Sequence, residues 1–182
     1  MNFLLQLDGN ILLFIQEHIR QDWMTPFWIF ITSLGNKGWF WLAVSALMLI
    51  PRRTRKIGIM ALLALSIGFL ITNLALKNLV ARIRPYETVE SLKLLIARQS
   101  DFSFPSGHAC ASFAAASVYF RKLPQKWGIS AVVLAALIAF SRLYVGVHYP
   151  TDVLAGAVIG IWAAWAAIHL VEYIERNSYR SS

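Results

Sequence analysis

Long apolar runs broken by short polar clusters set the pattern of this chain. Residues 57–76 form the clearest run and match the roughly 20 residues that a helix needs to cross a bilayer core. The run 109–120 continues a helix that Pro105 can start, because proline is tolerated in a first helical turn. The polar string Arg121-Lys122-Leu123-Pro124-Gln125-Lys126 ends it. Two further runs, 127–140 and 153–171, flank the polar segment 141–152. Upstream, Gly35-Asn36-Lys37-Gly38 reads as a turn leading into an apolar run at 39–50. Before it, residues 3–34 hold room for one inserted helix and an interfacial amphipathic one within 1–22, with Asp22 and Pro26 marking the break. The pattern predicts an all-α polytopic membrane bundle of about six transmembrane helices. With no repeat, low-complexity tract or linker, one integral-membrane domain is expected over 1–182.

Composition supports this reading. A chain of 182 residues that is 58% hydrophobic and 14% charged carries more apolar surface than a soluble domain of its size can hide. The net charge of +8 would suit a nucleic-acid binder, but the basic residues fall in short clusters between apolar runs. They fit membrane orientation instead, and no nucleic-acid partner is expected. Arg52, Arg53, Arg55 and Lys56, then Arg121, Lys122 and Lys126, then Arg176 and Arg180 lie at alternate helix ends, hence on one side. The positive-inside rule makes that side the cytoplasm. Segments 77–105 and 141–152 then meet at the outer face of the cell membrane. The single cysteine, Cys110, excludes an internal disulfide and a cysteine-based zinc cluster. Asp8, Glu17, His18 and Arg20 spoil a signal-peptide pattern, so a mature start near Met1 is expected.

Three polar clusters carry the chemistry. Lys77 and Arg84 are seven residues apart, so a helix running to Pro85 would project both from one face; singly, each also fits a cation that snorkels to the headgroups. Arg82, off that face, fits the snorkelling role. Pro105-Ser106-Gly107-His108 opens a helix whose first amides have no internal partner and point at an anion. There Ser106 adds a hydroxyl, Gly107 admits an oxyanion close to the backbone, and His108 is placed to protonate a departing oxygen. In the third cluster, Asp152 lies four residues past His148, and its carboxylate suits the Nδ1–H of that imidazole. Nε2 is then left free as a nucleophile. Arg142 offers a planar fork to two phosphate oxygens. Asp8, Asp22, Asp101 and Asp152 are scattered in sequence, and no metal-ligand spacing occurs. His18 and His169 read as packing residues. Trp23, Trp28, Trp39 and Trp41 fit interfacial belts. Leu92, Leu94, Leu95 and Ile96 alternate with Ser91, Lys93 and Arg98, which suits either a segment lying over the site or a solvated loop with a few buried leucines.

Lys77-x6-Arg84-Pro85, Pro105-Ser106-Gly107-His108 and Ser141-Arg142-x5-His148-x3-Asp152 resemble the three-part signature of the type 2 phosphatidic acid phosphatase superfamily, which includes bacterial acid phosphatases and vanadium haloperoxidases. Every motif position is filled in order, over residues 77–152, and the flanking apolar runs resemble the integral-membrane branch. The resemblance implies an acid phosphatase/haloperoxidase-like helical core and a metal-independent mechanism with no cofactor. His148 would form a phosphohistidine, Asp152 would hold it, and His108 would protonate the leaving group and then activate water. Lys77, Arg84, Ser106, Gly107 and Arg142 would hold the phosphoryl oxygens. The implied partner is a phosphorylated membrane lipid in the bilayer, with no obligate protein partner. Undecaprenyl diphosphate ranks first on resemblance; phosphatidylglycerol phosphate, phosphatidic acid and lipid A 1-phosphate stay open. So does a lipid phosphotransferase using the same site. A vanadate-dependent haloperoxidase is disfavoured by the apolar spans, and a non-catalytic lipid carrier by the complete set of His108, His148 and Asp152.

Overall fold

The computed structural model describes residues 3–178, so Arg180 of the basic tail lies outside the described residues. Every regular element among the described residues is helical. Helix α1 (Phe3–Phe14) widens into a π-helical turn, Ile15–Ile19, and breaks at Arg20 and Gln21. Helix α2 (Thr25–Leu34) and α3 (Trp39–Leu47) flank the turn at Gly35. Helix α4 (Arg55–Phe69) passes through a π-helical stretch, Leu70–Leu76, into the short α5 (Lys77–Val80), and α6 (Pro85–Thr88) follows. Three long helices complete the chain: α7 (Gly107–Lys122), α8 (Gln125–Tyr144) and α9 (Pro150–Ser178).

Helix α7 is the axis of the bundle, packed against α3, α4, α8 and α9. Its sequence explains how so many helices reach it, because Ala109, Cys110, Ser112, Ala114, Ala115 and Ala116 are all buried and small. Helix α9 answers with Gly156 and Gly160, a small-xxx-small pair of the kind that lets helix backbones touch in a membrane. A Cβ at Gly156 would stand 2.4 Å from the Ser106 carbonyl oxygen, and one at Gly160 2.4 Å from that of Cys110. Outward-facing residues of α9, including Leu154, Val158, Ile161 and Trp162, are exposed and apolar, a surface suited to lipid. The protein is a multi-pass membrane bundle.

Three stretches are each long and apolar enough to cross a membrane, Arg55–Thr88, Gln125–Tyr144 and Pro150–Ser178. Helices α2 and α3, of 10 and 9 residues, reach only about 15 Å each at 1.5 Å per residue, half of a bilayer core. The turn between them, where Lys37 (φ 50°) and Gly38 (φ 68°) adopt left-handed backbone, keeps the two helices apart. The tryptophans also divide. Trp23 and Trp39 are exposed, as an interfacial belt requires, but Trp28 and Trp41 are core residues. Trp41 donates its indole N–H to Ser112 Oγ at 2.9 Å, and Trp28 stacks on Tyr144.

The basic clusters gather at one end of the bundle. Lys56 pairs with Glu175, and Lys122 with Glu172 at 2.5 Å, joining the start of α4 and the end of α7 to the end of α9. Replacing Gly160 by Val should drive the added methyls into the α7 backbone and cost about 1–3 kcal/mol. Thermal unfolding in detergent, with Gly160→Ala as the milder step, measures that cost.

Candidate active site

At the opposite end, the start of α7, the end of α8 and the start of α5 meet the turn at Gly35 and the loop before α9 around a cavity of about 1140 Å³. Lys77, Arg84, Gly107, His108, Arg142 and His148 all line it, although 71 residues separate the first from the last. The three polar clusters of the sequence therefore converge. Ser106 and Asp152 lie just behind the wall, both fully buried.

The first cluster reaches the cavity by a different route from the one expected. Helix α5 stops at Val80, and Ala81 turns into left-handed backbone (φ 46°), so Lys77 and Arg84 do not share a helical face. Arg84 is extended, as the residue before a proline must be, and its guanidinium folds inward. Its Nη1 donates to the Val147 carbonyl at 2.7 Å and its Nε to that of Asp101 at 2.8 Å. Asp101 sits between the two cations, bonded to Lys77 Nζ and 2.5 Å from Arg84 Nη2. Burial raises the pKa of this carboxyl, but the bond and charge of Lys77 and then those of Arg84 outweigh it and hold it below the usual range. The residue is carried by the segment 89–104, which packs over the bundle through Leu92 against Leu12 and Tyr149, and through Leu94, Leu95 and Ile96 against the main core.

The second cluster builds a helix start. Ser106 is the N-cap of α7, accepting from Ala109 N–H at 3.5 Å, while its own N–H donates to the Asp152 carbonyl at 3.0 Å. The helix begins at Gly107, so Pro105 stands outside it, and the Ser106 hydroxyl, while accepting that capping bond, keeps its own proton to donate. Gly107 borders the cavity beside Asn73, which the π-helical stretch presents there. His108 Nε2 stands 3.1 Å from Asn36 Oδ1. A carboxamide at that distance holds the ring by one hydrogen bond.

The third cluster holds the second imidazole. His148 is almost fully buried, and its Nδ1 lies 3.5 Å from Asp152 Oδ2 without making a hydrogen bond as the side chains stand. Asp152 Oδ2 is engaged by the Tyr149 N–H at 3.0 Å and the Ser103 hydroxyl at 2.5 Å. Burial pushes the His148 pKa down to about 4, against the pull of Asp152 and with the help of Arg84 and Arg142. Arg142 is buried, donates Nη1 to Thr32 Oγ1 at 2.6 Å, and keeps a buried Nε without a partner. Such a cation has bonding capacity left for an anion.

Sequence reasoning missed several of these neighbours. Asn36, Asn73, Thr32 and Asp101 come from loops and helices with no motif, and only the expectation that buried cations need acceptors points to such residues. Arg82 does not snorkel: it donates to Asp152 Oδ1 at 2.6 Å and to Asp8 Oδ2 at 2.7 Å. Among the described residues, no group of three or more His, Cys, Asp or Glu is placed to hold a metal.

The chain is thus of the class of multi-pass membrane bundles, with three cations and two histidines around one cavity. Residues 57–176 match the PAP2 superfamily, and the chain belongs to it. It is 34% identical over 142 residues to the undecaprenyl-diphosphatase of Sulfolobus acidocaldarius, covering 78% of this chain and 68% of that one. It is 32% identical over 177 residues to the lipid A 4'-phosphatase of Bacteroides thetaiotaomicron, covering 90% and 76%. The fold superposes on the crystal structure of a transmembrane PAP2 type phosphatidylglycerolphosphate phosphatase from Bacillus subtilis with a TM-score of 0.78. The identity there is 29%, over 96% of this chain and 89% of that one. The resemblance drawn from the motifs and the all-α fold class both hold, and the relatives' names make this chain a hydrolase.

Two outcomes follow from the electrostatics. The unfolded chain protonates a histidine near 6.5, above the folded value for His148. Stability contributed by the neutral imidazole is thus complete above about pH 6.5 and is lost as pH falls toward 4. The melting temperature in detergent should drop across that window, and His148→Gln should flatten the drop. Asp101→Asn frees two cations from their internal anion, so inorganic phosphate should inhibit at about threefold to tenfold lower concentration. An inhibition constant in the parent and the variant at neutral pH measures the change.

Proposed function

We propose that the chain is a lipid phosphatase that cleaves a phosphate monoester or diphosphate of a membrane lipid through a phosphohistidine, without a metal. The observation that carries this reading is the single cavity that joins Lys77, Arg84, Arg142, His108 and His148 to an apolar wall of Leu42, Leu65, Phe69 and Leu70. The polar half suits a phosphoryl group and the apolar half a lipid chain.

The roles follow from placement. Lys77, Arg84 and Arg142 take the phosphoryl oxygens together with the first amides of α7, and hold the charge that spreads over them in the transition state. His148 Nε2 attacks phosphorus as the bond to the leaving oxygen breaks, and the His108 proton goes to that oxygen. Asp152 holds the Nδ1–H side and balances the positive ring so formed. In the second half, neutral His108 accepts a proton from water while the water oxygen bonds phosphorus, the P–N bond breaks, and phosphate leaves. Three side-chain cations supply the charge that a metal would otherwise provide.

Undecaprenyl diphosphate is the preferred substrate, supported by the name of the Sulfolobus acidocaldarius relative and by a site at the outer end of the bundle, opposite its basic, cytoplasmic end. A lipid phosphate monoester is the second reading, favoured by the Bacillus subtilis structure that aligns with nearly the whole chain. The membrane proposed is the cell (cytoplasmic) membrane.

Phosphate release from a polyprenyl diphosphate, phosphatidic acid and phosphatidylglycerol phosphate, in detergent, tests both substrate readings. His148→Ala should reduce release to background, and His108→Ala should lower it by about 100-fold or more. Chelators should leave the parent unchanged. Full activity of His148→Ala, or chelator inactivation reversed by a divalent ion, would end the proposal.

A further inference from the structure

Behind His148, on the side away from the cavity, the Asp152 carboxylate belongs to a chain of alternating charge. Its Oδ1 accepts from Arg82 Nη1 at 2.6 Å, and Arg82 Nη2 donates to Asp8 Oδ2 at 2.7 Å. Asp152 and Asp8 are both buried, and the guanidinium between them lies over the Tyr149 ring at 3.8 Å from its centroid. Asp8, in α1, also accepts from the Thr151 N–H at 3.1 Å and from its hydroxyl at 2.5 Å, and so holds the first turn of α9. Arg82 Nη1 reaches the same hydroxyl at 2.7 Å.

This arrangement bears on the nucleophile. Attack by His148 leaves a positive ring that needs an anion at Asp152, and a guanidinium on that same carboxylate works against the need. Asp152 and Arg82 alone form a neutral pair. The second carboxylate, on the far side of the guanidinium, returns the trio to a net single negative charge. Arg82 also occupies Oδ1, which leaves Oδ2 as the oxygen turned to the imidazole. In a buried, low-dielectric setting such fixed charges act with little screening.

The geometry points to Arg82 and Asp8 as positioning residues of the phosphatase reaction: Arg82 orients the carboxylate behind the nucleophile, and Asp8 keeps that assembly negative. The inference rests on the proposed role of His148. It makes α1 part of the working site although no residue of α1 lines the cavity.

The test is steady-state hydrolysis of a polyprenyl diphosphate by the full chain in detergent, with inorganic phosphate as a competing ligand. Asp8→Asn keeps an amide oxygen for the Thr151 N–H and removes the charge, together with the acceptor that Oδ2 offers to Arg82 and to the Thr151 hydroxyl. It should lower kcat by about tenfold or more, with KM and the phosphate inhibition constant within about twofold of the parent. Arg82→Gln should lower kcat further, because two buried carboxylates then face each other. Arg82→Lys should recover part of that loss, as should Asp8→Asn combined with Arg82→Gln. If Asp8→Asn does not fold, a lower kcat at constant KM in Arg82→Lys relative to the parent decides the matter. Variants with lower melting temperatures but parental kcat, or a loss confined to KM, overturn the inference. His148→Ala keeps the two failures apart. When it is inactive the proposed function stands on its own, and when it is active both ideas fall together.

Discussion

Like charges crowded into an apolar bundle repel one another, and the site is organised around containing that repulsion. Lys77, Arg84 and Arg142 share one cavity, two of them almost entirely removed from solvent and the third nearly so. Water cannot screen them there, so the protein supplies fixed acceptors. Arg84 is met by three main-chain carbonyls, Arg142 by a threonine hydroxyl, and Lys77 and Arg84 together by Asp101. These partners satisfy part of each cation and leave the rest for an incoming anion. A cluster of cations within an apolar bundle is thereby made compatible with a stable fold.

The same need for compensation explains the loops. The segment 89–104 carries Asp101 into the cation pair, and the turn at Gly35 sets Asn36 against His108. Neither is a passive link between helices. Helix α1, exposed along much of its apolar face, contributes a single buried carboxylate where the start of α9 needs one.

Much of this was legible in the sequence because membrane burial makes polar residues conspicuous. The apolar runs after residue 55 correspond to α4 with its π-helical continuation, α7, α8 and α9, the last running seven residues past its expected end, and the motif residues of all three clusters gather at one end. The failures have a common physical origin. Lys77 and Arg84 are seven apart, a spacing that implies one helical face, but the left-handed Ala81 breaks the helix, and what brings the pair together is a carboxylate 17 residues beyond Arg84. Arg82 resembles a snorkelling cation in sequence because its partners, Asp8 and Asp152, are distant in the chain. Trp28 and Trp41 looked interfacial because composition does not tell which face of a short helix turns inward. Periodicity reports local structure, whereas ion pairing and close packing are settled by the tertiary arrangement.

The contact of Gly156 and Gly160 with the backbone of α7 has a mechanical consequence. Each glycine lies against a carbonyl of the facing helix, so the two rods are keyed like a vernier, with no side chain between them to flex. The next matching position lies one full turn away, about 5.4 Å along the axis. Small axial slippage is therefore blocked, and the alignment of the two imidazoles, one at the head of each rod, is written into the main chain itself.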